Sequence, residues 1–406
     1  MKVGIIGYGS RGKMLLWKFS KKGKIDKTHL PVSNRTKDKI RLKIVVLSMM
    51  ICGMFSGCIK SVKDTEESVD IQASGEDERL SEGVDTPVEV TGFETFKGSD
   101  ADCFLKAGDK VAVISPSSLP TRAQTDTVIR GLAEWGYVPV EGEYVCTMDR
   151  TLDNCREDLE WALSDPEIKG IFCVRGGYAS CEVVEAMNRK LIVEAKKPII
   201  GFSDITACHS AWTVAGVPSI HASMSAAFSD LPQECGDIER KMLQGDIPAY
   251  KCKGSEYDSQ GAAEGILVGG NLTIMMTVSN TVYDSTKQDQ PYILFLEDCE
   301  CDYHQIHYAM TVLKNNGVLE HASGIILGEW TDTDPESGDY VGDSRGGRFR
   351  SVYDMLYRQF LKNLNIPIAY GFPGGHGEKN YPLLMGEKVR LNVTQDSFSL
   401  EWTDLE

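Results

Sequence analysis

The sequence predicts an α/β protein in which a parallel, helix-covered sheet domain is followed by a second, smaller α/β domain. Two observations predict it. From Lys110 onward, short apolar runs alternate with stretches of helical period, the pattern of βα units and a parallel sheet. The chain also has 406 residues, 42% hydrophobic and 25% charged, which suffices for two or three domains with a large core. That composition excludes a collagenous, wholly disordered or multi-span membrane chain. The net charge of −16 argues against a nucleic-acid binder, whose footprint would be basic.

The charge is unevenly spread. Residues 1–43 carry 13 Lys and Arg against 2 acids, and the rest of the chain carries 30 against 57. Within the basic stretch, Val3-Gly-Ile-Ile-Gly7-Tyr-Gly9-Ser-Arg-Gly12 is a GxGxxG after a short strand. A helix is expected over Lys13 to Phe19, and Val32 to Thr36 reads as the end of a second strand. In a complete dinucleotide unit such glycines let a pyrophosphate approach a helix N-terminus. The stretch resembles the opening of pyrroline-5-carboxylate reductase, with Arg11 where that family usually has Met. No further strands follow, so residues 1–39 are expected to be a Rossmann-like fragment without function, and no cofactor is expected.

Ile44 to Phe55 is an apolar run of twelve residues, short of the roughly 20 that a transmembrane helix needs. Lys37, Lys39, Arg41 and Lys43 precede it, and Ser56-Gly57-Cys58 follows. A basic region, a short apolar region and small residues before a cleavage point make a secretory signal. Ser-Gly-Cys resembles a bacterial lipobox, so residues 40–58 are expected to export the protein and leave Cys58 lipid-anchored in the cell envelope. Asp64 to Glu94 then holds eleven acids and one base, Arg79. Few large apolar residues interrupt it, and residues 59–99 are expected to be a disordered acidic linker.

The first folded domain is expected over 100–240. Val111 to Ile114 reads as a buried strand, Thr121 to Trp135 as a helix stopped by Gly136, and Val138 to Val140 as a second strand. Asp153 to Leu163 is a helix, Gly170 to Val174 a third strand, and the segment around Cys181 to Met187 a helix. Pro198 to Phe202 is a fourth strand leading through Ser203 into a helix from Ile205 to Val214. The second domain is expected over 241–406, with strands at Tyr292–Leu296, Gly324–Leu327 and Pro367–Tyr370 and a helix at Tyr303–Asn315. Gly269-Gly270 reads as a tight turn, because no Lys-Ser/Thr follows to make a phosphate loop.

In sheets of this kind ligands bind off the strand C-termini. Ser203 lies at such a corner, in Gly201-Phe-Ser-Asp204, although Ile205 replaces the second glycine of a G-x-S-x-G elbow. A Ser at a helix N-terminus is more often simply a cap. Its company changes the weight: Glu297 ends an apolar strand, and His376 lies in a Gly-rich loop. A carboxylate that orients a His, which in turn deprotonates a Ser, is triad chemistry. Glu300 is the alternative acid. His304 and His307 share a helix face, but no third ligand suggests itself, so no metal site is expected. The ten Cys of residues 103–301 form no CxxC pair, and no specific bridge is expected.

Six ordered motifs carry a wider resemblance: Gly108 to Ser117, Asp165 to Gly170 with Val174 to Tyr178, Gly201 to Thr206, Gly269 to Leu272, Phe295 to Asp298, and Gly375 to Gly377. Residues 105–400 thereby resemble the LD-carboxypeptidase family of serine peptidases, which includes microcin C immunity hydrolases. Departures are Ala179 where Gly is frequent, and Ala222-Ser223 where Gly-Pro is common. The resemblance implies Ser203 as nucleophile, His376 as general base, Glu297 as its orienting acid, and an oxyanion hole from the Gly177 and Asp204 N–H groups. It implies cleavage of the bond to the terminal D-alanine of peptidoglycan stem tetrapeptides, and it suggests a homodimer. The rival functions are a microcin-immunity-type hydrolase of aminoacyl-nucleotide toxins, a non-enzymatic wall-binding lipoprotein, and a nicotinamide-linked reductase resting only on Gly7, Gly9 and Gly12.

Overall fold

The computed structural model describes residues 3–9, 13–19, 25–29, 85–97, 104–333 and 349–403. The chain divides into two units, Met1–Asp77 and Glu78–Glu406. In the first, β1 (Val3–Gly9), β2 (Lys13–Phe19) and β3 (Ile25–His29) form an antiparallel three-stranded meander. The helix expected over Lys13 to Phe19 is therefore a strand, paired back onto β1 from Gly9↔Lys13 to Val3↔Lys18. With a hairpin in place of a strand-to-helix crossover, Gly7 and Gly9 have no helix N-terminus to present to a phosphate. The segment 40–58, including Cys58, and most of the acidic linker lie outside the described residues. Among those described, no helix is long and apolar enough to cross a membrane.

The second unit is built on two sheets. Its strands in chain order are β4 (Val90–Lys97), β5 (Lys110–Ile114), β6 (Val138–Glu141), β7 (Ile168–Cys173), β8 (Ile199–Gly201) and β9 (Ser219–His221). They continue with β10 (Asp246–Lys253), β11 (Gly261–Asn271), β12 (Tyr292–Cys299), β13 (Gly324–Thr331) and β14 (Ile368–Tyr370). The last three are β15 (Leu383–Met385), β16 (Lys388–Val393) and β17 (Ser397–Trp402). One sheet has six strands in the order β15-β9-β8-β7-β5-β6, parallel except for β15. The other has eight in the order β14-β13-β12-β11-β16-β17-β10-β4, with β11 to β14 parallel. The second sheet is thus the larger of the two.

Two strands also cross the expected boundaries. β15 closes the first sheet from within the second half of the chain, pairing Leu383↔His221. β4, from the segment expected to be disordered, pairs with β10 along its whole length and forms the edge of the second sheet. Residues 85–97 are therefore part of the fold and not of the linker. Two further contacts hold them: the Asp85 carboxylate accepts from the Val352 and Tyr353 N–H groups at 2.7 and 3.1 Å, and Val88 N–H donates to Gly371 O at 2.8 Å.

Local chemistry explains the elements that frame the site. The helix Arg122–Glu134 opens with a capping box of Thr121 and Gln124, and Leu152–Ser164 opens with one of Thr151 and Asn154. The last carbonyls of Leu152–Ser164 and the Asp165 carbonyl are met by the buried Lys197 ammonium, which donates to Ala162, Leu163 and Asp165. Lys197 thereby pins the start of β8, the strand that leads to Ser203. Ile199, Ile200, Ile171, Phe172 and Val113 are wholly buried, as a sheet covered on both faces requires. Gly269-Gly270 is not a turn. Both glycines lie within β11 at positive φ, and a Cβ on Gly270 would collide with Thr206 of the neighbouring helix.

Candidate active site

Ser203 follows β8 after one residue, Phe202, and begins a single 3-10 turn, Ser203–Ile205, that feeds the helix Thr206–Val214. Its φ is +63°, a left-handed conformation that costs a non-glycine residue about 1–3 kcal/mol. The strain is the sign of a sharp strand-to-helix corner that lifts Oγ clear of the sheet. Ile205, wholly buried, takes the place where the usual elbow has glycine.

The hydroxyl meets an imidazole. His376 Nε2 lies 3.0 Å from Ser203 Oγ, and His376 Nδ1 lies 2.7 Å from Glu297 Oε2. Residues 173 positions apart are thus joined in one hydrogen-bonded line. Glu297 is 0% exposed and lies in β12, which runs on to Cys299 and so extends past the strand end read from the sequence. The loop that carries His376 is seated on this acid: Gly375 has φ +114°, and a Cβ there would collide with the Glu297 carboxylate. Gly375 N–H donates to Asn380 Oδ1 at 2.9 Å, and the Phe202 ring lies 4.8 Å from the imidazole. With Nδ1–H donated to the carboxylate, Nε2 is left to accept from the serine.

Burial, the largest single influence, pushes the imidazolium pKa of His376 down, and the Glu297 carboxylate and Cys299 together push it up by more. The net pKa is above the ordinary histidine value. Glu300, the alternative acid, is exposed, at φ +54° in the turn beyond β12. The structure brings Glu297, not Glu300, to the imidazole.

Opposite the serine, the Gly176–Gly177 turn packs against Ser203. A Cβ on Gly176 would lie 3.0 Å from Ser203 Cβ and 3.4 Å from Asp204 N. The Asp204 side chain was not singled out by the sequence. Its Oδ2 accepts from Ser117 Oγ at 2.6 Å and from Ser180 N–H at 3.0 Å, and its carbonyl accepts from Ser180 Oγ. Arg150 donates to the carbonyls of Ser115 and Ser117. One buried carboxylate thus ties the loops after β5 and β7 to the residue that follows the nucleophile. The available signal was two serines, Ser117 just beyond β5 and Ser180 at the start of the helix Ser180–Ala186. Tyr178, 74% exposed, stands at the rim.

His304 and His307 lie on the helix Tyr303–Asn315, which is capped by Asp302, and the His307 ring packs 5.2 Å from Phe360. Among the described residues, no group of three or more His, Cys, Asp or Glu is arranged to hold a metal ion. Nine cysteines among them are free.

Comparison with known proteins now decides the lineage. The family model of the LD-carboxypeptidase N-terminal domain matches residues 111–222, and that of its C-terminal domain matches 264–391. The chain belongs to the LD-carboxypeptidase family. A Synechocystis protein with a carboxypeptidase name is 30% identical over 297 residues, covering 71% of this chain and 93% of its own. In fold, the chain is similar to the muramoyltetrapeptide carboxypeptidase from Oxalobacter formigenes, with a TM-score of 0.63 at 21% identity, covering 73% of this chain and 99% of that one. It is equally similar to MccF, solved in complex with glutamyl sulfamoyl guanosine, with a TM-score of 0.63 at 20% identity and coverages of 75% and 99%. The two family models divide the site between them: Ser203 falls in the first, and Glu297 and His376 in the second.

Proposed function

We propose that this LD-carboxypeptidase family member is a serine carboxypeptidase that removes the terminal D-alanine from peptidoglycan stem tetrapeptides. The observation that carries the reading is the Ser203–His376–Glu297 line at the strand C-termini. Ser203 Oγ attacks the carbonyl carbon before the D-alanine while His376 Nε2 takes its proton. Buried Glu297 stabilises the imidazolium. The negative oxygen of the tetrahedral intermediate is met by the N–H groups of Gly177 and Asp204, held in place by the Asp204–Ser117–Ser180 brace. His376 returns the proton to the departing D-alanine nitrogen, and water releases the acyl group by the same route in reverse.

A second reading has a specific support, the equal fold similarity to MccF: hydrolysis of an aminoacyl-nucleotide toxin by the same three residues. The tetrapeptide reading is preferred because residues 40–58 are read as a lipoprotein signal, which would place the domain at the wall, where Cys58 anchors it. One acyl chain binds a membrane only marginally, so the anchor requires a multiply acylated Cys58. Intact-mass analysis of membrane-extracted protein tests that part: an unmodified Cys58 in a soluble chain retaining Met1 contradicts it. The activity is tested by giving the full chain stem tetrapeptides and aminoacyl sulfamoyl nucleosides in parallel and following both products by mass spectrometry. Release of D-alanine is the expected result, and turnover of the nucleoside alone overturns the substrate assignment.

A further inference from the structure

Cys299 is a thiol at the triad that the mechanism above does not use. Side chains alternate along the end of β12. Glu297 meets His376, and Asp298 points the other way, accepting from Asn271 Nδ2 and Thr273 Oγ1 at 2.8 Å each. Cys299 returns to the triad side, half-buried, and its thiol reaches the His376 imidazole as a second hydrogen-bond partner beside Glu297. The backbone fixes it there: Cys299 N–H donates to Asp298 Oδ1 at 2.8 Å, and Glu300 N–H donates to Thr331 O at 3.0 Å. Thr331, opposite Cys299 in the register of β12 and β13, donates from Oγ1 to His376 O at 3.5 Å. The paired strand ends thus hold both the ring and the backbone of His376. The acids of this neighbourhood are Glu297 on β12, Glu329 on β13 and Glu378 on the His376 loop, and Cys301 lies just past the turn.

We propose that Cys299 is a positioning residue of the triad: its thiol holds the imidazole in line between Glu297 and Ser203, so that a covalent cap on the sulfur stops the enzyme. This rests on the carboxypeptidase reading above. Sulfur is a weak acceptor, and an acceptor beside the ring favours the imidazolium that forms as Ser203 attacks. The cap acts by bulk. A group added to a sulfur in contact with the ring pushes the ring away from Ser203, and a misplacement of about 1 Å costs about 100-fold in rate.

The test uses the full chain with Cys299→Val, which keeps the volume, and Cys299→Ser, which keeps a hydrogen-bonding group. In D-alanine release, Cys299→Val should lower kcat about twofold to tenfold, the net size of one hydrogen bond, with KM unchanged. Cys299→Ser should stay near wild type. NMR titration of the His376 ring should give a lower pKa in Cys299→Val than in wild type, because the thiol raises it. A further arm treats the proteins with iodoacetamide: the carbon–sulfur bond forms as the carbon–iodine bond breaks, and iodide and the thiol proton leave to solvent. Wild type should lose about 100-fold or more in kcat once mass spectrometry finds Cys299 modified. Cys299→Ser, treated alike, should keep its activity, which separates Cys299 from the half-buried Cys146 and Cys181. Thermal unfolding checks the fold of each protein. An adduct at Cys299 that leaves D-alanine release intact, or wild-type kcat and titration in Cys299→Val, overturns the proposal. If no protein releases D-alanine but the His376 titration still depends on Cys299, the contact stands and the peptidase reading fails.

Discussion

Replacing Glu297 by Gln keeps the side chain's shape and removes its charge from a wholly buried position 2.7 Å from the imidazole. Two unit charges about 4 Å apart at an effective dielectric of about 20 attract by about 4 kcal/mol. That attraction stabilises the imidazolium formed as Ser203 attacks, and 1.36 kcal/mol is about a factor of ten in rate. The variant should therefore lose about three orders of magnitude in kcat. Its pH profile should move as well. His376 must be neutral to accept the serine proton, so activity falls as pH drops through its pKa. In the wild type that pKa is raised above 6.5, because Glu297 and Cys299 together outweigh the lowering effect of burial. Without the carboxylate, burial weighs more, and the acidic limb of kcat/KM should shift to lower pH. The assay is D-alanine release from pH 5 to 9, with circular dichroism on the variant and Glu300→Gln as a control. A limb that stays in place or moves upward, or loss of activity in Glu300→Gln instead, would refute the reasoning.

Three further outcomes are expected. A chain starting at residue 98 loses β4 and both Asp85 hydrogen bonds. Charge-assisted bonds contribute about 1.5–3 kcal/mol each, so its Tm should fall by roughly 5–10 °C, whereas a chain starting at residue 79 should keep the full value in calorimetry. Gly377→Ala places a methyl group against the Glu329 carboxyl and should displace His376, lowering kcat by at least about tenfold with an unchanged far-ultraviolet spectrum. Deleting residues 1–39 should leave peptidase activity unaltered, and saturable NADPH binding by the full chain, lost in Gly9→Ala, would contradict the meander's lack of a phosphate site.

Much of this was legible in the sequence where local pattern and local chemistry agree. The strands at Lys110–Ile114 and Ile168–Cys173, and the helix Tyr303–Asn315 behind its Asp302 cap, could be read because their periodicity and caps lie within a dozen residues. Ser203 was legible as a corner residue even without the second glycine. Features decided by distant pairing were not. β4 was expected to be disordered because the segment leading into it is acidic, yet it is held by pairing with β10, some 150 positions away. The three-residue strands β9 and β15 are too short to show a period. Lys13 to Phe19 has five apolar residues in seven, which suits either a strand or a buried helix, and the pairing with β1 settles it. Glu329 escaped notice because a bulge, invisible in the sequence, turns it toward the triad.

The central claim is that Ser203 and His376 act as one unit. Its most direct measurement is kcat for D-alanine release by Ser203→Ala, His376→Ala and the double variant, each shown to be folded. The account predicts that either single change lowers kcat about as far as both together, because the two groups share one proton transfer. Full turnover by folded Ser203→Ala, or losses that multiply in the double variant, would contradict it.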